Sequence, residues 1–135
     1  MVSSISRRIT TLTLLLITIV AGLIWRLAPL HLPWFAYKYG GSALWAIALY
    51  WLIAAILPRR TPLQLALIAS ILSAALEFSR LYHLPALDAF RLTLPGKLLL
   101  GRIFSPKNIA AYWLAILAAT LLDHLALHRR HISTN

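Results

Sequence analysis

The sequence predicts an all-α integral membrane protein, a bundle of four transmembrane helices with an interfacial or re-entrant segment before the last helix. Its 135 residues are 61% hydrophobic and 12% charged, whereas a soluble domain is about 45–50% apolar and about 25% charged. Four apolar stretches also approach the roughly 20 residues that a helix needs to cross a bilayer. We therefore expect a single transmembrane domain over 1–135.

The four predicted spans are separated by residues that end helices. The spans are expected at about 9–28, 39–57, 63–82 and 108–126. Pro58 ends the second span and Pro62 begins the third, so these two form a tight helical hairpin. The apolar stretch at about 92–104 is too short to cross, and we expect it to lie in the interface or to enter the bilayer and return.

The charge balance points to the membrane surface. The chain has thirteen Lys and Arg residues but only three Asp and Glu residues, which gives a net charge of +10. In a soluble protein this excess would suggest nucleic acid, but beside apolar spans basic residues set topology and meet anionic lipid headgroups. We therefore predict the lipid bilayer as the partner, and no nucleic acid. Dense pairs at one predicted side favour cytoplasmic termini: Arg7-Arg8, Arg59-Arg60 and Arg129-Arg130.

Glu77 is the strongest single signal, because an ionised group inside a span costs about 2.5–3.5 kcal/mol even on lenient scales. It shares a helical stripe with the small polar residues Ser70 and Ser73. Two interpretations stay open. Glu77 either belongs to a polar site inside the bundle, or forms a structural ion pair with Arg26, which lies at a similar depth when both are counted from the arginines that begin their spans.

The connection after Glu77 combines charged residues with glycines. Arg side chains bind phosphate or carboxylate oxygens in a fork, and glycine lets the backbone approach a ligand closely. The predicted binding residues for an anionic headgroup are Glu77, Arg80, Asp88, Arg91, Gly96, Gly101 and Arg102. The alternative is an interfacial segment whose basic side chains extend to ordinary lipids.

Other kinds of site find little support in the sequence. The chain has no cysteine, so disulfides, thiolate metal sites and cysteine nucleophiles are excluded. His124 and His128 have the spacing of a metal pair but lack the glutamate of a zinc-protease motif. No nucleotide-binding fingerprint occurs, and we predict neither a metal nor a cofactor. Asp123 is expected to extend to the interface or to pair with Arg129 or Arg130.

A family pattern runs from the third span to the fourth. It consists of Glu77, Leu81-Tyr82-His83, Pro85, Leu87-Asp88, Arg91, Thr93, Gly96, Leu100-Gly101, Phe104 and Tyr112, with Tyr39-Gly40 and Leu44-Trp45 in the second span. This pattern resembles domain-of-unknown-function family 2809, a family of small bacterial membrane proteins. Arg80 stands where that family usually has Gln, and Asn108 where it usually has an acid. An acid on a helix followed by Arg, Asp and Gly in a loop is also distantly similar to VanZ-like proteins.

The resemblance implies a multi-pass protein of the bacterial inner membrane, but it implies no reaction. The sequence favours a non-catalytic protein that binds an anionic envelope lipid, or a membrane partner that is either another helix bundle or a second copy. The alternative is a small intramembrane enzyme acting on a lipid-linked phosphate or headgroup. In that case Glu77 and Asp88 would serve as acid or base, and Arg91 and Arg102 would hold the anion.

Overall fold

The described part of the chain is all-α. The computed structural model describes residues 4–28, 31–79, 85–94 and 106–128. They form α1 (Ser4–Leu27), α2 (Trp34–Ile56), α3 (Pro62–Phe78), α4 (Pro85–Leu92) and α5 (Pro106–Leu122), and α5 continues as a π-helical segment over Asp123–His128. No strand occurs among these residues, and the all-α prediction is confirmed.

Three helical stretches are long and apolar enough to cross a membrane, namely Ile5–Leu27, Trp34–Ile56 and Pro106–Leu125. Their length and composition are those of membrane-spanning helices and point to a membrane protein. The third predicted span corresponds to α3, which has only 17 residues and is about 25 Å long at 1.5 Å per residue. That is shorter than the roughly 30 Å of a bilayer's hydrocarbon core.

The start of α3 is fixed by local sequence. Thr61 and Gln64 form a capping box, in which the Gln64 backbone N–H donates to the Thr61 hydroxyl at 3.2 Å and the Thr61 backbone N–H donates to Gln64 Oε1 at 3.1 Å. Pro62 occupies the first turn, where a missing N–H costs nothing. The preceding turn is closed by the Arg60 N–H, which donates to the Leu57 carbonyl at 3.2 Å. The tight connection expected between the second and third spans is therefore present.

α2 is the central helix of the bundle and packs against α1, α3 and α5. Its side chains Tyr50 and Trp51 are buried, and they share the core with Leu65 of α3 and Ile116 of α5. α1 packs on α2 from outside and leaves large apolar side chains such as Leu16 exposed. Exposed apolar surface of this kind is what lipid chains cover in a membrane protein.

The helices run in alternating directions, so the bundle has two distinct ends. At the end that we call the Arg7 end, the Arg8 Nε donates to the Ala55 carbonyl at 2.9 Å, joining the start of α1 to the end of α2. At the opposite end, the Glu77 end, the last turn of α3 meets the first turns of α5, where Asn108 donates to Glu77.

The short helix α4 is an element that the sequence analysis did not predict. It begins at Pro85 and carries Asp88 in its first turn and Arg91 in its last turn, an arrangement that suits the helix dipole. Thr93 N donates to Phe90 O at 3.0 Å directly after it. Of the predicted interfacial segment 92–104, the remainder from 95 onward lies outside the described residues.

Candidate functional site

Glu77 lies inside the bundle and is only 1% exposed. Its Oε1 accepts a hydrogen bond from Asn108 Nδ2 at 3.1 Å, and its Oε2 accepts one from the Tyr112 hydroxyl at 2.8 Å. Both donors come from one face of α5, because residues four apart lie above one another on a helix. A buried carboxyl is tolerated when it is hydrogen-bonded in this way. Glu77 therefore faces the bundle interior, a position that leaves both interpretations drawn from the sequence open.

A serine of α2 extends this arrangement. The Ser42 hydroxyl donates to the Lys38 carbonyl at 3.0 Å and also lies 3.5 Å from Asn108 Oδ1. Ser42 and Asn108 are both buried. We call Ser42, Glu77, Asn108 and Tyr112 the Glu77 cluster. It joins α2, α3 and α5 at one end of the bundle.

A cavity of about 700 Å³ lies beside the Glu77 cluster, between α1 and α2. Its long wall is apolar and includes Leu15, Ile19, Leu23, Ala48, Leu49 and Leu52. Its polar part is formed by Arg26, Ser42, Tyr37 and Tyr112. The volume lies within the roughly 300–1,000 Å³ that small-molecule sites usually have. Two members of the Glu77 cluster, Ser42 and Tyr112, are therefore part of the cavity wall.

Arg26 is held at the polar part of the cavity by contacts with α2. Its guanidinium lies 5.2 Å from the centroid of the Tyr37 ring, and its Nη2 donates to the Lys38 carbonyl at 3.4 Å. The Tyr37 hydroxyl in turn donates to the Arg26 carbonyl at 3.0 Å. A Cβ at position 41 would collide with the Arg26 guanidinium, so Gly41 is what lets this side chain lie close to α2.

The Arg91 side chain of α4 lies beside the C-terminal end of α3, and the residue is 2% exposed. Its Nη2 donates to the Ser79 carbonyl at 2.6 Å, and its Nη1 lies 3.3 Å from Asp88 Oδ1. The last carbonyls of a helix lack intrahelical donors and carry partial negative charge. Arg91 therefore attaches α4 to the end of α3. Arg91 is predicted from the sequence as an anion ligand, and its contact with the end of α3 was not predicted.

The other predicted headgroup residues divide into two groups. Asp88 is described, and its side chain is 46% exposed beside Arg91. Arg80, Gly96, Gly101 and Arg102 lie outside the described residues. The structure thus brings Glu77 together with Asn108 and Tyr112, which the sequence analysis had noted only as parts of a family pattern.

The predicted ion pair between Arg26 and Glu77 stays a prediction. Arg26 contacts the Tyr37 ring and the Lys38 carbonyl. Glu77 accepts hydrogen bonds from Asn108 and Tyr112. Arg26 lines the cavity, and Glu77 accepts a hydrogen bond from Tyr112, which also lines it.

A buried ion pair between Arg7 and Asp123 lies at the Arg7 end of the bundle, and this pairing was not predicted. Arg7 binds Asp123 in a fork, with both N···O distances at 2.6 Å. The Tyr50 hydroxyl donates to Asp123 Oδ2 at 2.6 Å. All three side chains are buried. The partners expected for Asp123, Arg129 and Arg130, lie outside the described residues. The sequence feature that could have indicated a buried partner for Asp123 is Arg7, which shares a helix face with Thr11 and Thr18.

Within the described ranges, no group of three or more His, Cys, Asp or Glu side chains is arranged to hold a metal ion. His124 is exposed beside the buried Asp123. The chemistry that this structure offers is hydrogen bonding and ion pairing next to an apolar cavity.

Comparison with known proteins places most of the chain in one family. The model of a family described as "Protein of unknown function (DUF2809)" matches residues 31–116, which is more than half of the chain and includes the whole Glu77 cluster. No match was found among curated proteins or among solved structures. The distant similarity to VanZ-like proteins is not supported by these comparisons. The chain belongs to the DUF2809 family, whose function is unknown.

Proposed function

We propose that the protein is a multi-pass membrane protein that binds one lipid, through the anionic phosphate of its headgroup, in the cavity between α1 and α2. The observation that carries this proposal is the shape and polarity of that cavity. Its apolar wall suits an acyl chain, and Arg26 offers a guanidinium fork for phosphate oxygens at one end. Ligand sites commonly combine apolar walls with a few polar groups in this way.

The positions of the polar groups along α1 and α2 support this placement of the headgroup and the acyl chain. Arg26 lies in the last turn of α1, and Tyr37 lies in the first turn of α2. These helix ends are where headgroups are found. Exposed aromatic side chains at the start of α2, Trp34 and Phe35, fit an interfacial belt. Leu49 lies 12 residues beyond Tyr37 on α2, about 18 Å by the helical rise, at the level expected for an acyl chain.

We further propose that four helices cross the bilayer, with α3 as the short third span. Its direction alternates with those of α2 and α5, and it packs against both. The Trp113 indole N–H donates to the Ser70 carbonyl at 3.2 Å, which fixes α3 beside α5 near its middle. A bilayer can thin locally around a short span at modest cost. Four spans place both termini on one side, and the arginine pairs favour the cytoplasmic side of a bacterial inner membrane.

The lipid site is tested by native mass spectrometry of protein released in a mild detergent. We expect the wild-type chain to retain one phospholipid per chain. Arg26→Gln should reduce that occupancy by roughly tenfold or more, because a hydrogen bond to a charged group is lost. The matched control is Lys107→Gln, which removes an exposed cation at the start of α5 and should leave the occupancy unchanged.

A second variant tests the apolar wall independently of charge. A Cβ at Gly22 would meet only Leu44 at 3.9 Å, so Gly22→Leu should fold and fill the cavity. We expect this variant to lose the bound lipid. Ala110→Leu adds apolar volume on the exposed face of α5 and should retain the lipid. The proposal is wrong if Arg26→Gln and Gly22→Leu both keep wild-type occupancy.

A further inference from the structure

We propose that the Arg7 end of the bundle carries a second binding site, which takes a phosphate group between Arg8 and Arg60. The phosphate belongs either to a lipid headgroup or to a free ion, and both offer the same tetrahedral set of acceptor oxygens. The site is separate from the cavity between α1 and α2 and goes beyond the proposed function. It is supported by a cavity, by two arginines held on different elements, and by a local excess of positive charge.

The cavity has a volume of about 580 Å³ and lies where the start of α1 meets the connection between α2 and α3. This volume suffices for a small polar ligand. The three basic residues in its wall are exposed, so a ligand reaches them without any opening of the bundle. Apolar residues at the end of α2 adjoin them. The wall includes Arg8, Arg59 and Arg60 together with Ile56, Leu57 and Pro58.

The Arg8 guanidinium is held at the end of α2. Its Nε donates to the Ala55 carbonyl at 2.9 Å, directly before the first α2 residue of the cavity wall, Ile56. This bond uses one of the five N–H groups of a guanidinium. No described residue accepts from Nη1 or Nη2 of Arg8. These two nitrogens can therefore bind two phosphate oxygens in a fork.

Arg60 is placed by a well-defined turn. Its backbone N–H donates to the Leu57 carbonyl at 3.2 Å, and the capping box of Thr61 and Gln64 fixes the backbone that follows. Its side chain is exposed and has no hydrogen-bond or ion-pair partner within the described ranges. Because the backbone is ordered before a ligand arrives, only the side chain loses freedom on binding. Arg60 thus offers a second guanidinium from an element other than α1.

Positive charge exceeds negative charge at this end. The chain has three acids, and the one at the Arg7 end, Asp123, is already paired with Arg7. The other two belong to the Glu77 end. No acidic side chain is among the described residues of the cavity wall. The field of its arginines therefore attracts an anion, and a phosphate bound by Arg8 and Arg60 joins α1 to the turn before α3.

A diffuse basic flank differs from a phosphate site in what it requires. Arginines that only set topology act through positive charge, which lysine also supplies. A fork on phosphate oxygens requires the planar guanidinium, which lysine lacks. The test variant therefore combines Arg8→Lys with Arg60→Lys, which keeps the charge and removes both forks. The matched control is Lys107→Gln, which removes an exposed cation at the Glu77 end.

Binding is measured by isothermal titration calorimetry of the full chain in a neutral detergent at low salt. The two probes are inorganic phosphate and dihexanoyl phosphatidic acid. We expect the wild type to bind both and the doubly substituted variant to bind each more weakly, by roughly two- to tenfold per arginine. Lys107→Gln should match the wild type. The affinity that the lysine substitutions remove identifies the source of the phosphate: a tenfold excess for phosphatidic acid indicates a lipid headgroup, and similar values indicate the free ion.

The inference is overturned if the doubly substituted variant binds both probes as tightly as the wild type, since charge alone would then act at this end. It is equally overturned if the wild type binds neither probe. Thermal unfolding without ligand separates lost binding from lost folding, and Arg60→Lys alone keeps the test open if the double variant does not fold. Salt screens exposed arginines, so a salt wash removes this ligand before the lipid in the cavity between α1 and α2 is counted. Failure of that lipid site is distinguishable, because its variants leave Arg8 and Arg60 intact.

Discussion

At the scale of single residues, the protein buries carboxyl groups at both ends of its bundle, and the cluster around one of them adjoins the cavity. Asp123 is paired with the Arg7 guanidinium, so opposite charges meet directly. Glu77 accepts from an amide and a phenol, and two members of its cluster line the cavity. We interpret the Asp123 group as structural and the Glu77 cluster as the wall of a binding site.

The structural role of Arg7 gives the first prediction. Arg7→Gln should lower the stability of the protein in detergent by up to about 3–5 kcal/mol, because Asp123 would remain buried without its cation. Arg8→Gln is the matched control. Arg8 is the exposed neighbour whose Nε donates to the Ala55 carbonyl, and its loss should cost less than about 1 kcal/mol. Thermal unfolding measures both, and equal losses would contradict the role given to Arg7.

The predicted coupling of Arg26 and Glu77 is tested by a double-mutant cycle. Arg26 lines the cavity and Glu77 is buried next to Tyr112 in the cavity wall, and charges interact more strongly in such surroundings than in water. We expect Arg26→Gln and Glu77→Gln to be non-additive in thermal stability, by an amount near the roughly 0.6 kcal/mol average of polar couplings inside bilayers. Strict additivity would leave Arg26 without a role as the partner of Glu77.

Some of these residues were predictable and others were not. Glu77 was identifiable because an ionisable side chain within an apolar helix must face protein or water. Asn108 differed from the expected family pattern, but its hydrogen bond to Glu77 depends on how α3 meets α5. The pairing of Arg7 with Asp123 joins residues 116 positions apart, and a single sequence contains no local pattern that specifies such a contact.

At the scale of elements, the packing of α1 on α2 depends on two adjacent glycines. Trp25 lies against Gly40, and Arg26 lies against Gly41. The Trp25 indole N–H points at the carbonyls of Ala36 and Tyr37, at 3.1 and 3.2 Å. The two glycines thus allow the Trp25 and Arg26 side chains of α1 to lie against the backbone of α2. This contact positions Arg26 at the cavity.

Gly40→Ala should therefore be destabilising. Its Cβ would lie 2.6 Å from Trp25 Cε2, and overpacking of this kind costs about 1–3 kcal/mol. Gly22→Ala on the facing helix is the control, because its Cβ would meet Leu44 at an ordinary 3.9 Å and alanine favours helix. If thermal unfolding shows the two variants to be equally stable, the tight contact of Trp25 with Gly40 is not present.

Hydrophobic length explains which elements were predictable. The long apolar runs identify α1, α2 and α5, but they mark the membrane core and not the helix ends. This is why α1 begins at Ser4 and α2 at Trp34, earlier than the predicted spans at 9 and 39. The helix α4 was missed because its eight residues are too few for a periodic signal, although Pro85 and Asp88 are typical of a helix start.

At the scale of the whole molecule, the exposed surface is dominated by apolar side chains, and α1 contributes many of them. Leu16 is 63% exposed and Ile9 is 60% exposed. Such a surface is stable only when lipid or another apolar partner covers it. The described helices therefore present apolar outer faces around an apolar core that has a polar cluster at each end.

Four spans with cytoplasmic termini predict a definite labelling pattern. The chain lacks cysteine, so single substitutions report position without background. Ser105→Cys should react with a membrane-impermeant thiol reagent in intact cells, whereas Ser4→Cys should react only after the membrane is opened. Labelling of position 4 alone in intact cells would reverse the orientation. Equal labelling of both positions would place them on the same side and contradict three spans between them.

The most direct test of the lipid site is photo-crosslinking with a phospholipid that carries a diazirine in its acyl chain, followed by mapping of the adducts. We predict adducts concentrated on the half-buried cavity-lining residues Leu15, Ala48 and Leu49, and their loss when excess unlabelled phospholipid competes. Adducts spread equally over the outward-facing residues Leu16, Ile17 and Val20 of α1, and insensitive to competition, would mean that lipid only surrounds the bundle and that no lipid occupies the cavity.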